Sequence, residues 1–564
     1  MVARLIALLY RETHDIHAAA YVLAVCALLS QLLALFRDHL LAGAFGAGST
    51  LDIYYAAFRI PDFLFATVAS LFSLYALMPV ISELETRSPG AEMSFMRRTL
   101  GVFFISIGAI SLIIFFCVPY LVQLVAPGIA GNAENSANII MLARILLLQP
   151  ILLGASNILA NLTQLRHRFV LYAVSPLLYN IGIIIGIVVL YPVLGISGLG
   201  WGVVLGAVAH VLVQLPSFSF EKIKEQMPWR EYWNKLREVL MLSIPRTGAL
   251  AAGQISLLFL IALGSTLAAG SVAIFSFAYN LQAVPLTIIG VSYSVAAFPT
   301  LARLFAAGDK ENFLAHIEYS LRHIAFWAIP ATIMVIVLRA QLVRVILGAG
   351  VFDWSATRLT AAALALFVVS LFAQSAVLII ARAYYAAGST KKPLILALLS
   401  VVVSIGTAYF LVEIFSTNTN LQYLVDELLR VGSGGASTVL MLALGYTLGS
   451  IVQCTVGLFV FSRDFNLKLN AIGKLFVQSS IASLFGGVAS YTTLSVIGTW
   501  MVNLHTVFGI FMQGLCAGII GLAVTGYLLY LQNNHELKEI MQAARRRFRD
   551  VAITVEPTDL GSAQ

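Results

Sequence analysis

The amino-acid sequence predicts an all-α polytopic membrane protein with fourteen transmembrane helices. Three observations predict it: too little charge for a water-exposed surface, a regular train of long apolar segments, and basic loops that alternate along that train. Of the 564 residues, 60% are hydrophobic and 11% charged, whereas a soluble domain carries about 25% Asp, Glu, Lys and Arg. Lipid is therefore the main solvent. The net charge of +8 is spread over short loops and not gathered into the patch that nucleic acid needs, so no nucleic-acid partner is expected. Cys26, Cys117, Cys454 and Cys516 lie in apolar stretches without metal-ligand spacing and read as small buried hydrophobes. Neither metal nor cofactor is expected.

A bilayer-crossing helix needs about 20 mostly apolar residues. That ruler finds spans near 18–42, 52–84, 95–124, 137–164, 168–190, 197–218 and 236–266, then near 270–302, 314–338, 357–387, 393–413, 435–460, 474–497 and 503–532. Lys and Arg accumulate on the cytoplasmic side of short loops. With the N-terminus inside, Arg97, Arg98, Arg166, Arg168, Lys235, Arg322, Lys391 and Lys392 all fall inside, and the outer loops hold Arg339, Arg344, Arg358 and Arg430. Both termini are expected in the cytoplasm. Residues 1–20 lack a cleavage site, so the first span reads as a retained anchor. The tail arginines Arg545, Arg546, Arg547 and Arg549 read as an orientation signal that can also meet anionic membrane lipid.

Segments six helices apart echo each other. Ala47-Gly48-Ser49 recurs as Ala269-Gly270-Ser271, and the end of span 2 around Pro79 resembles the end of span 8 around Pro299. Six is even, so the copies enter the membrane with the same polarity, about an axis along the membrane normal. The expected organisation is an N-lobe over 1–218, a cytoplasmic linker over 219–235, a C-lobe over 236–460, two further helices within 461–532, and a basic cytoplasmic tail over 533–564.

Ionic groups inside the apolar phase cost about 2.5–3.5 kcal/mol each on insertion scales and mark cavities or partners. In span 2, Asp52, Tyr55, Arg59 and Asp62 share one helix face that continues through Ala66, Ala69, Ser70 and Ser73. This stripe reads as the wall of a hydrated cleft, with Arg59 and Asp62 paired at i,i+3. The competing reading makes Asp52 a helix cap and Arg59 a structural ion. Arg37, beside Asp38, is long enough to snorkel, as are Arg144 in span 4 and Arg382 in span 10. Arg246 follows Pro245, which weakens a helix and frees backbone groups, and is a candidate for the cleft. His210 reads as a packing histidine. A guanidinium facing a cleft suits phosphate oxygens, so the expected cargo is anionic. Glu413, near the end of span 11, is the only candidate coupling carboxylate in the second half, a scarcity that argues against cation coupling there, while Asp38, Asp52 and Asp62 leave it open in the first half.

Leu35-Phe36-Arg37-Asp38, Phe45-Gly46-Ala47-Gly48, Asp52 and Ala57-Phe58-Arg59-Ile60-Pro61 closely resemble the N-terminal signature of the MurJ/MviN family of lipid II flippases. Ala126-Pro127-Gly128, Ser175-Pro176 with Asn180, Gln214-Leu215-Pro216, Gln254-Ile255-Ser256 and Lys391-Lys392-Pro393 extend the resemblance over the chain. It implies two six-helix lobes of the multidrug/oligosaccharidyl-lipid/polysaccharide exporter superfamily, two more helices forming a groove, and alternating access in the bacterial plasma membrane. The implied cargo is lipid II, with sugar and diphosphate in the cleft, and other wall-synthesis proteins are further candidate partners. Family arginines in the cleft hold the diphosphate. Here Arg37 and Asp52 are retained, while Gln31, Phe65, Ser70, Asn280 and Ala283 stand where the family carries charge.

The expected substrate-binding set is Arg37, Asp52, Arg59, Arg246, Asn280 and Arg144, with Asp38, Asp62 and Arg382 as structural or coupling groups. Alternatives are a flippase for another polysaccharide lipid or a multidrug antiporter of the same superfamily. A drug-cation antiporter would line its cleft with carboxylates. A membrane glycosyltransferase would need an acidic residue in an outer loop, where Asp353, Asp426 and Glu427 sit, and a nontransporting scaffold would tolerate the missing arginines.

Overall fold

The computed structural model of the protein describes residues 16–72, 74–87, 90–218, 227–432, 436–500 and 506–542. The tail arginines, the first 15 residues, Ser73 and the linker stretch 219–226 lie outside the described residues. Every regular element among the described residues is helical. Among the described residues, twelve helices are long and apolar enough to cross a membrane, and two bent pairs bring the number to fourteen when each pair counts as one span. The protein is a multi-pass membrane protein. Its lipid-facing helices carry side chains that water would reject: Ile105, Phe116 and Tyr120 are 76%, 66% and 77% exposed on one long helix.

Span 1 is α1 (Ile16–Phe45). Span 2, expected as one helix, is instead broken into α2 (Ser49–Ala57), α3 (Arg59–Thr67) and α4 (Leu74–Arg87). Pro61 is the cause of the first break: it has no N–H to return to Ala57, so the helix loosens at Phe58 and restarts. Then follow α5 (Ala91–Val125), α6 (Ala133–Leu146), α7 (Leu148–Leu165), α8 (Phe169–Ile185) and α9 (Ile196–Leu212). The second half begins with α10 (Trp229–Ser265), which continues as a helix through Pro245, so the proline makes no break there. Span 8 is α11 (Ser271–Leu286), a π-helical turn over Thr287–Val291, and α12 (Ser292–Ala306). The remaining elements are α13 (Lys310–Leu347), the bent pair α14 (Trp354–Val368) and α15 (Leu371–Ala386), α16 (Lys391–Thr417), the short α17 (Thr419–Leu429), α18 (Leu440–Phe465), α19 (Asn470–Trp500) and α20 (Val507–Leu531). The bend between α14 and α15 is 44°.

The chain divides into two compact units, the first comprising Met1–Val284, Val343–Phe367 and Gly388–Gln453. A close seam joins α8 to α9, where Gly182 and Gly186 oppose Gly202 and Gly206. A Cβ on Gly182 would lie 2.2 Å from Gly206 Cα, and one on Gly206 would lie 2.4 Å from the Tyr179 carbonyl oxygen. Small residues let two backbones touch, which replaces the hydrophobic drive that lipid cannot supply. Gly206→Val is accordingly expected to cost about 2–4 kcal/mol through overpacking. Thermal unfolding in detergent checks this, and a melting temperature equal to the wild type would contradict the seam. In the same unit His210 donates or accepts at Ser156 Oγ, 2.7 Å away, which satisfies it as a packing histidine. Lys235, at the start of α10 and outside the membrane-crossing stretch, meets Glu83 at 2.7 Å, and that carboxylate pushes its amine pKa up.

The second unit comprises Pro285–Leu342, Val368–Ala387 and Cys454–Gln564. Its core gathers Ala325, Phe326 and Ile329 of α13, Leu475 and Ala482 of α19, and Leu529 of α20. After α20 a helical stretch, 535–542, is pinned to α13: Glu536 accepts from Arg322, and Glu539 lies 3.3 Å from His323.

Candidate functional site

The polar stripe of span 2 faces α10 and α11. At its start, the Asp52 carboxylate accepts hydrogen bonds from the backbone N–H groups of Gly270 (2.6 Å) and Ala273 (2.8 Å). Asp52 is thus a cap, but of α11 and not of its own helix: its charge satisfies orphan donors and sits at the positive end of the α11 dipole. The loops that echo each other in sequence touch here, since a Cβ on Gly270 would fall 2.1 Å from the Ala47 carbonyl oxygen. With φ at +89°, Gly270 also adopts a backbone conformation that side chains oppose. Farther along the stripe, Ser70 Oγ meets Thr247 Oγ at 3.0 Å.

Between these contacts lies a cavity of about 240 Å³. Span 2 lines it with Tyr55, Arg59 and Asp62, α10 with Gln254, Leu257 and Ile261, and α11 with Phe275, Ser276, Tyr279 and Asn280. Arg59 donates from Nε to the Tyr55 carbonyl at 3.2 Å, and its terminal nitrogen stands 3.7 Å from Asp62 Oδ2. The latter distance is an ion pair without a short hydrogen bond. The Tyr55 hydroxyl is buried with no protein partner.

A second network runs through Asp38, which is only 2% exposed. Its Oδ1 accepts from Arg37 Nε (2.9 Å) and a terminal Arg37 nitrogen (2.7 Å), and its Oδ2 accepts from Asn280 Nδ2 (3.1 Å). Arg37 also donates to Asn180 Oδ1 at 3.3 Å, and Asn180 donates to Ser30. A continuous polar chain thus joins α11, α1 and α8. Close by, His39 Nδ1 lies 2.7 Å from the Ile346 carbonyl, and Val351 N–H donates to the Gly43 carbonyl at 3.1 Å.

Of the expected binding residues, Arg59 and Asn280 line the cavity together with Asp62, while Asp52 and Arg37 sit in hydrogen-bond networks next to it. Arg144 lies away from it, stacked 4.6 Å over the Phe115 ring and donating to the Phe115 carbonyl. Arg382 packs over Phe298 within the second unit. Arg246 is partly exposed on α10 and is not among the cavity-lining residues. The sequence reading missed Tyr279, Phe275 and Ser276, and it noted Gln254 only as a family landmark. A polar or aromatic residue at helical spacing opposite the stripe was the available signal. Asp353 serves as a cap, accepting from Ala356 N–H at 2.7 Å.

Comparisons with known proteins agree with this architecture. The family described as Lipid II flippase MurJ matches residues 41–511. A lipid II flippase MurJ from Burkholderia cenocepacia is 25% identical over 76% of this chain and 83% of its own. A probable lipid II flippase MurJ from Thermotoga maritima is 25% identical over 91% of this chain and 96% of its own. Among solved structures, lipid II flippase MurJ in an inward closed conformation superimposes with a TM-score of 0.71 at 21% identity, covering 91% of this chain and 99% of that one. An inward-facing MATE family multidrug transporter of the MOP superfamily gives 0.63 at 16% identity, over 79% of this chain and 96% of that one. These folds share the helical transporter plan, and the family match spans most of the sequence. The chain belongs to the lipid II flippase MurJ family, a family of transporters and not of enzymes.

Proposed function

We propose that the protein is a flippase that moves lipid II from the cytoplasmic to the outer leaflet of the bacterial plasma membrane, with both termini in the cytoplasm. The observation that carries this reading is the polar cavity walled by span 2, α10 and α11, in a chain of this family, with a guanidinium held by a loose ion pair. At 3.7 Å, Asp62 neutralises Arg59 without occupying its fork, so a diphosphate can take the carboxylate's place with two parallel hydrogen bonds. The lipid tail stays in the bilayer. A cation-exporting antiporter fits less well, because Asp62, the cavity's carboxylate, already faces an arginine.

Transport then needs alternating access between the lobes 1–218 and 236–460. Asp52 belongs to the first and its partners Gly270 and Ala273 to the second, so these bonds act as a clasp that parts when that end of the cleft opens. Outward movement of a negative headgroup gains about 2.3 kcal/mol per charge per 100 mV of inside-negative potential.

The test is reconstitution with fluorescent lipid II and a quencher of the outer leaflet. Wild-type vesicles are expected to expose the lipid faster than empty ones, and equal rates would refute the assignment. The clasp has its own readout. Hydrogen bonds to a charged group are worth about 1.5–3 kcal/mol each, so Asp52→Ala is expected to speed labelling of Ser276→Cys by an impermeant maleimide at least tenfold. Unchanged labelling would mean that Asp52 only caps a helix.

A further inference from the structure

Only Asn418 separates the end of α16 from α17, whose 11 residues are fastened at both ends. Asn418 Oδ1 accepts from the Leu421 N–H at 3.1 Å, Gln422 Nε2 donates to the Phe415 carbonyl of α16 at 2.6 Å, and the Val431 N–H closes the far end on the Asp426 carbonyl at 2.9 Å. Helical spacing sorts the side chains between them into three stripes. Gln422 and Asp426 turn toward the protein, the first onto α16 and the second buried. Asn420, Tyr423, Glu427 and Arg430 form an exposed polar stripe. Leu421, Leu424 and Leu428 form an apolar one, with Leu424 and Leu428 60% and 72% exposed. A helix this short is marginal in water unless its apolar face is covered. The position of α16 identifies the cover. Its 27 residues rise about 40 Å, against a hydrocarbon core of about 30 Å, so its last turns stand among lipid headgroups. Val402, Tyr409 and Phe410 on its flank are exposed to the same lipid, and the leucines of α17 follow them along the chain.

We infer that α17 is an interfacial helix that lies on the bilayer surface, with Leu424 and Leu428 sunk into the boundary between headgroups and acyl chains and the stripe from Asn420 to Arg430 in water. This is the arrangement in which an amphipathic helix binds a lipid surface without crossing it. α16 packs on α10, where a Cβ on Gly248 would lie 3.2 Å from Leu394 Cδ1, and α10 is a wall of the cavity. The lipid contact therefore anchors the end of α16, and the α10 wall beside it, at a set depth. The leaflet is the outer one in the topology proposed above. The contact itself does not depend on the cargo.

The experiment measures depth. The full-length chain, with its four native cysteines changed to alanine, carries a fluorescent NBD label on Asn420→Cys, Leu424→Cys or Leu428→Cys, one at a time, in phosphatidylcholine nanodiscs that hold a single copy. Lipids with a nitroxide near the headgroup or deep in the acyl chain quench each label according to its depth. The labels at 424 and 428 are expected about 5–10 Å below the headgroups, the label at 420 in water, and a reference label on Val402→Cys of α16 in the hydrocarbon core. All four positions are exposed in the protein, so the substitutions leave its packing intact. Labels at 424 and 428 that sit in water overturn the inference. So does an apolar environment that no lipid nitroxide reaches, because protein then covers the leucines. Leu424→Glu/Leu428→Glu is expected to move a label on Thr417→Cys outward, and an unchanged depth would overturn the anchoring of α16. A chain that flips no lipid but places its labels as expected loses the flippase reading and keeps this one.

Discussion

Asp38→Ala is expected to destabilise the protein by about 3–5 kcal/mol, the range for stranding one partner of a buried ion pair. Three donors converge on this carboxylate, two from Arg37 and one from Asn280, at 2.7–3.1 Å. Without it, the Arg37 guanidinium keeps only Asn180 among the partners described, and the Asn280 amide loses its acceptor in the cavity wall. The damage comes from the stranded cation more than from the lost bonds. Arg37→Leu/Asp38→Ala should therefore melt higher than Asp38→Ala alone, with a coupling energy of about 1–3 kcal/mol. Thermal unfolding of the four proteins in detergent closes this cycle. Additive losses would show that the two side chains act independently, contrary to the geometry.

Arg59→Gln is expected to carry the largest functional loss. A charge-assisted hydrogen bond is worth about 1.5–3 kcal/mol, so lipid II binding and flipping should fall roughly 10- to 100-fold. Arg59→Lys keeps the charge but not the planar fork, and should lie between. Asp62→Asn tests the exchange from the other side. It removes the group that competes with the diphosphate for Arg59, and lipid II should bind more tightly. Flipping by Arg59→Gln at the wild-type rate would remove Arg59 from the mechanism.

Much of the fold was legible in the sequence because a bilayer imposes length and loop charge on every span. The stripe of span 2 was legible too, since its period of three and four puts Tyr55, Arg59 and Asp62 on one face, and that face lines the cavity. The Arg37–Asp38 pair was not. Neighbours in a helix point about 100° apart, and only the length of arginine lets it fold back. Gln254 and Tyr279 were obscure because neutral side chains in an apolar span carry little of the energetic penalty that makes charges conspicuous. Arg144 offered the opposite lesson: its charge drew notice, yet its stem and head are accommodated on Phe115. The target of Asp52 lies 218 and 221 residues away in the chain, at the main chain of Gly270 and Ala273, and no local pattern announces a bond to a backbone.

That last feature has an evolutionary side. Because Asp52 grips N–H groups and not side chains, the donor at position 273 depends on no side chain and only proline deletes it, whereas position 270, with φ at +89° and the Ala47 carbonyl against it, is held to glycine. Tuning therefore falls to the carboxylate and to Gly270, so a lineage that needs a slacker hold has essentially two codons with which to obtain it.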